Sequence, residues 1–159
     1  MKIETTATLN LTGFEALRKG LQPGECVKVG VFGDHKNERK KGDGITNLEL
    51  AWIMIFGSIS RRIPARDFIK MPIQEKRKEI LAYAASKPMR ELLLRGEKKK
   101  ALKLLGVFSE NMIQKAFDTG GFGKWAKLSW YTIQAKGSSK ILINFGELRR
   151  AVWSRVSGL

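Results

Sequence analysis

Residues 3–11 alternate, with Ile3, Thr5, Ala7, Leu9 and Leu11 on one face, and the pattern predicts a strand. Thr12 and Glu15 stand at capping-box spacing and Gly20 at a C-cap position, which predicts a short helix over 13–19. After the Pro23-Gly24 turn, Val27, Val29 and Val31 alternate with Lys28 and Gly30, a second strand ending at Gly33. Residues 34–44 carry no apolar side chain, so nothing there can bury surface to offset the entropy of ordering, and a mobile loop is expected.

Thr46 and Glu49 repeat the capping box, and Gly57 closes the helix between them. Leu48, Leu50, Ala51, Trp52, Ile53, Met54, Ile55 and Phe56 make that helix apolar nearly all round, the pattern of an element covered on every side by its own core or by a partner subunit. Ile63-Pro64-Ala65-Arg66-Asp67-Phe68 reads as extended, because a residue before proline is pushed out of the helical region. Pro72 suits the first position of a helix, and Ile73, Arg77, Ile80, Leu81 and Ala84 follow at helical spacing. Lys87-Pro88 and Gly96 interrupt. From Glu97 to Phe117 the helical period returns, with Ala101, Leu104, Leu105, Phe108, Met112 and Ala116 as the stripe and Leu102, Ile113 and Phe117 widening it.

A glycine-rich break spans 118–123. Ser129 caps a short helix through Gln134, stopped by Gly137. Ile141-Leu142-Ile143 reads as a strand, Gly146 as a turn, and Ala151–Val156 as a final strand. There is no internal repeat. The expectation is one α+β domain over 1–159, a small antiparallel or mixed sheet with a long amphipathic helix packed on it.

Charge changes this picture more than composition does. Thirty Lys and Arg face fifteen Asp and Glu, a net +15 with pI near 10.2, while 43% of residues are hydrophobic. Such a field attracts an anionic partner, whether nucleic acid, an acidic protein or a membrane face, and it sets copies of the chain against one another. Residues 61–103 hold fourteen of the cations against five acids. Lys98, Lys99, Lys100 and Lys103 crowd the first turns of the long helix, where cations oppose the macrodipole, and so become candidates for an external anion. A solvated charged face accounts for them equally well.

The candidate chemistry is sparse. One cysteine, Cys26, leaves no intrachain disulfide and suits a reducing compartment. One cysteine and one histidine, His35, do not make an ordinary zinc site, and no cofactor is expected. The start of the chain has no apolar signal-peptide core, and the Leu50–Phe56 run is too short to span a bilayer, so cytoplasmic synthesis and no membrane partner are expected. Gly120-Gly121-Phe122-Gly123-Lys124-Trp125 echoes a phosphate loop but fails it. Asp118 stands at the first glycine position, Trp125 at the hydroxyl position, and a helix precedes it where the motif needs a strand. Glu75 and Glu79 lie on a lysine-rich helical face, and no nucleophile–base–orienter set can be assembled, so an enzyme is not expected.

Three segments together resemble the neck proteins of tailed bacteriophages, the head–tail connector and tail-completion family. They are the apolar helix Leu50–Gly57 ending in Phe-Gly, the Ile63-Pro64-Ala65-Arg66-Asp67-Phe68 segment, and a C-terminal quarter. That quarter runs from Trp125 and Leu128 through Thr132-Ile133, Lys136-Gly137 and Ile141-Leu142-Ile143 to Gly146-Glu147-Leu148-Arg149-Arg150-Ala151. The Val29-Gly30-Val31 strand fits as well. Phe145 replaces a usual Thr, and Asp67 a usual Pro.

The resemblance implies an α+β protomer, a homo-oligomeric ring of often six copies, and a place in the virion between portal or head-closure proteins and the tail tube. Phage DNA would pass through the channel, and no catalytic residue is implied. On this reading Trp52, Ile55, Phe56, Arg66 and Phe68 are the candidate subunit interface. Lys98, Lys99, Lys100, Lys103, Arg149 and Arg150 are the candidate basic surface toward DNA or an acidic neighbour. The alternative class is a stand-alone, non-enzymatic nucleic-acid-binding protein, which the charge favours but no recognition motif supports.

Overall fold

The computed structural model describes residues 24–33, 44–142 and 146–158. The expected strand at 3–11, the helix at 13–19 and, but for Gly44, the polar segment 34–44 lie outside them.

Alternating valines form β1 (Glu25–Val31), whose Cys26 and Lys28 point to solvent while Val27, Val29 and Val31 turn inward. Its partner is β2 (Val152–Gly158), antiparallel, with Val31 opposite Val152 and Glu25 opposite Gly158. Among the described residues seven helices run between the two strands: α1 (Asn47–Phe56), α2 (Lys70–Glu75), α3 (Arg77–Ala84), α4 (Lys87–Leu94), α5 (Lys98–Thr119), α6 (Trp130–Lys136) and α7 (Glu147–Arg150). Among the described residues the architecture is α+β, a two-stranded antiparallel sheet with the long helix α5 laid across it.

The capping box of α1 forms. The Thr46 hydroxyl accepts the Glu49 amide at 3.2 Å, and the Thr46 amide donates to the Glu49 carboxylate at 2.8 Å. The backbone bond first, and the hydroxyl second, hold that carboxyl below its ordinary pKa. Ser129 caps α6 by accepting the Thr132 amide, and Gly137 ends it in the left-handed conformation.

Two expectations of local structure are corrected. Helix α2 begins at Lys70, two residues before Pro72, because the Asp67 carboxylate accepts the amides of Ile69 (3.0 Å) and Lys70 (2.8 Å) and so starts the turn early. Pro72 still sits in the first turn, where its missing N–H costs nothing. Ile141 and Leu142 form a turn in place of a strand, with Leu142 at φ 59, and both side chains pack on the core. Residues 147–150, after the expected Gly146 turn, close into the short helix α7.

The core is the seam between α5, the segment before α2, and α7–β2. Phe68 is 0% exposed and meets Phe117 at 5.3 Å between ring centroids, and Phe117 meets Trp125 edge-on at 5.7 Å. Ile113, Ala116, Leu148 and Val152 complete it. The expected stripe of α5 is buried at Ala101, Met112, Ile113, Ala116 and Phe117, and it departs from expectation in the middle of the helix. Gly106 and Ser109 are buried and Leu104 is exposed, while Phe108 stacks on Tyr83 of α3 at 4.2 Å.

Gly106 has a specific task. A Cβ there would lie 2.4 Å from Ser154 Oγ and 2.9 Å from Val27 Cγ2, so only glycine lets α5 approach the sheet this closely.

The glycine-rich segment after α5 is a turn that delivers Trp125 to the core. Gly121 has φ 70, and a Cβ on it would lie 2.5 Å from the Trp125 ring, whose Nε1 donates to the Asp67 carbonyl at 3.2 Å. Gly121 thus serves the packing of an indole.

Candidate functional site

Helix α1 has two faces with different fates. Only Asn47 and Ala51 are buried on it, so a helix apolar all round is covered on one side alone. Ile55 is half-buried against the core. On an adjoining face Trp52 and Phe56 are 66% and 62% exposed, with their rings 4.5 Å apart. Leu48 precedes them at the same four-residue spacing, and Ile59, in the turn after the helix, is 100% exposed and lines a groove on the other side.

The five candidate interface residues therefore separate. Trp52 and Phe56 are on an open surface. Phe68 is not available to a partner, because it is enclosed in the protomer's own core. Arg66 is 6% exposed and makes no carboxylate pair. Its Nε donates to the Ala126 carbonyl at 2.9 Å and Nη2 reaches the Lys127 carbonyl at 3.4 Å, tying the extended segment to the chain before α6. Burial lowers its pKa from the ordinary arginine value.

Arg66→Ala leaves two carbonyls without their donor, and a loss of about 1.5–3 kcal/mol is expected, with Arg66→Lys recovering part of it. Urea midpoints of the three proteins check this. Equal midpoints would show that the guanidinium contributes nothing to the fold.

The candidate basic residues also separate. Lys99 approaches Glu25 at 3.5 Å and Lys100 pairs with Glu97 at 3.0 Å, while Lys103 is exposed. Lys98 is half-buried. Arg149 is committed to the fold. It grips the Asp118 carboxylate at 2.8 and 3.0 Å and the Gln114 amide oxygen at 2.6 Å, clamping α7 onto α5. Arg150 is exposed beside it. Lys98 and Asp118 are the two ends of α5, about 30 Å apart at 1.5 Å per residue, so folding does not join the two basic groups into one surface.

Folding joins a different set. A groove of about 1130 Å³ lies between α1, the 58–66 turn, residues 127–129 and α6. Its floor is aliphatic: Leu50, Met54, Ile63, Leu128, Leu142 and Leu148. Its polar margin holds Arg61, Arg62, Arg66, Lys127 and Lys136, and among the described residues no carboxylate lines it. None of these five cations is ion-paired with a described carboxylate. Burial and then the charge of Arg66 lower the Lys136 pKa, a sign that two cations share a poorly hydrated space.

Sequence reading did not find this groove. Its cations fall in two groups, 61–66 and 127–136, about sixty residues apart along the chain, and the Arg66 ties to residues 126–127 and the Trp125 bond to the Asp67 carbonyl bring the two stretches together.

Among the described residues no three His, Cys, Asp or Glu gather as a metal site, and no helix is long and apolar enough to cross a membrane. Compared with known protein families, with curated proteins and with solved structures, the chain matches none.

Proposed function

We propose that this protein is a non-enzymatic structural subunit of a tailed-phage neck, assembling into a homo-oligomeric ring at the head–tail junction. The resemblance of its three segments to neck proteins gives the class. The observation that carries the reading is the exposed stripe Leu48, Trp52 and Phe56 on a chain of net charge +15. Water-exposed aromatic side chains in a row are costly on a free surface and typical of interface centres. A subunit edge of this kind also offsets the repulsion between like-charged copies. Closure would be favoured by salt or by an acidic neighbour such as a portal, head-closure or tail-tube protein, and basic residues facing the lumen would suit passing DNA.

The test is mass measurement of the protein at low and high salt, alone and in assembled particles, beside a Trp52→Ala variant. Since Trp52 is exposed, the variant protomer should unfold within about 0.5 kcal/mol of the parent. Loss of an interface anchor should weaken association by about 2 kcal/mol or more, roughly thirtyfold. A chain monomeric in every condition and in particles would end the ring reading. Tight, steeply salt-dependent oligonucleotide binding by the free monomer would replace it with a nucleic-acid-binding protein.

A further inference from the structure

The groove on the other side of α1 is a second surface, independent of the ring edge. Leu50 and Met54 line it, whereas Trp52 and Phe56 face away on the opposite side of the same helix. Five cations surround an aliphatic floor with no carboxylate among the described lining residues. Arg66 spends two of its five donors on carbonyls, and Lys136 spends one on the Lys140 carbonyl. Uncompensated like charges held together in a partly buried space cost stability, and an occupant that supplies negative charge removes that cost.

We propose that this groove docks an acidic amphipathic segment of another protein, an extended peptide in which carboxylates alternate with aliphatic side chains. The aliphatic side chains would cover Leu50, Met54, Leu128 and Leu142, and the carboxylates would meet Arg61, Arg62, Lys127 and the inner pair Arg66 and Lys136. Arginine at such a margin favours planar, two-pronged carboxylate recognition. A nucleic-acid strand fits less well, because among the described residues no aromatic ring lines the groove to stack a base. A second copy of this chain fits less well too, since its cations outnumber its acids two to one.

The inference can be tested on the full chain by fluorescence anisotropy with a labelled twelve-residue peptide of alternating Leu and Glu. A Leu/Gln peptide, a Ser/Glu peptide and an oligothymidylate of the same length serve as comparison probes. The Leu/Glu peptide should bind most tightly, and both halves of its chemistry should be needed. Arg61→Gln with Lys127→Gln changes two exposed margin residues and should weaken that binding about fivefold or more, with unchanged circular dichroism. Lys103→Gln, on α5, should leave it unaltered. Binding of the Leu/Glu peptide undiminished by the double change, no binding of it at all, or oligothymidylate binding more tightly at the same residues would each overturn the proposal. None of these outcomes bears on whether the chain forms rings, because the groove and the Trp52 stripe are separately mutable.

Discussion

Phe68→Ala lowers the stability of the isolated protomer by about 3–5 kcal/mol, a large part of what holds a domain of this size together. Phe68 is fully enclosed, and its ring packs on Phe117, which in turn packs on Trp125. Removing the ring opens a cavity at the junction of α5 with the segment leading into α2, and the rings around it lose their neighbour. Thermal or denaturant unfolding of the purified variant reads the effect directly. The contrast with Trp52→Ala is the informative part, because one large aromatic change should unfold the protomer early and the other should leave it folded. If the Phe68 variant kept the parental midpoint, the seam described above would not be the core.

Gly106→Leu should cost about 3 kcal/mol or more, at or beyond the upper end of ordinary overpacking. Even the first side-chain carbon at this position meets Ser154 Oγ at 2.4 Å and Ser154 Cβ at 2.8 Å, and the helix has no room to keep its place. Gly106→Ala has two opposing effects. Alanine stabilises a helix interior by about 1 kcal/mol over glycine, while its methyl presses on Ser154 and Val27. Combining it with Ser154→Gly should restore part of the loss, so that the pair is non-additive by about 0.5–3 kcal/mol. Urea midpoints of the two single changes and the double change form the cycle. Simple additivity would mean that α5 and the sheet do not touch at this point.

Local signals were legible in the sequence and distant ones were not. Thr46 with Glu49, Ser129 with Thr132 and Gly137 act within one helical turn, so their caps could be read from spacing alone. The Val27, Val29 and Val31 alternation marks a strand whatever it pairs with. Ile141-Leu142 is too short a run to separate a strand from a buried turn, and the left-handed backbone at Leu142 gives no sign in composition. Phe68 looked like an interface anchor because its burial is set by Phe117, 49 positions later, which only the folded chain brings to it. The charge reading erred in the same way. A run such as Lys98–Lys100 is conspicuous in sequence yet finds partners in Glu25 and Glu97, whereas the cations of the groove are scattered until the fold collects them.

The pairing of Glu25 with Gly158 has a consequence for how the chain comes to be folded. The two strands are 133 positions apart at that pair (158 minus 25), so closing the ladder first, from an open chain, would carry an entropic cost of about 4 kcal/mol before any neighbouring contact repaid it. The helices between them contact one another locally and can assemble early, and the ladder is expected to zip last, on a helical layer already formed. During synthesis β1 must wait for β2 until residues 152–158 have been made. Throughout that interval its edge is open to any other extended chain, and a nascent copy is most vulnerable to mispairing before its final strand arrives.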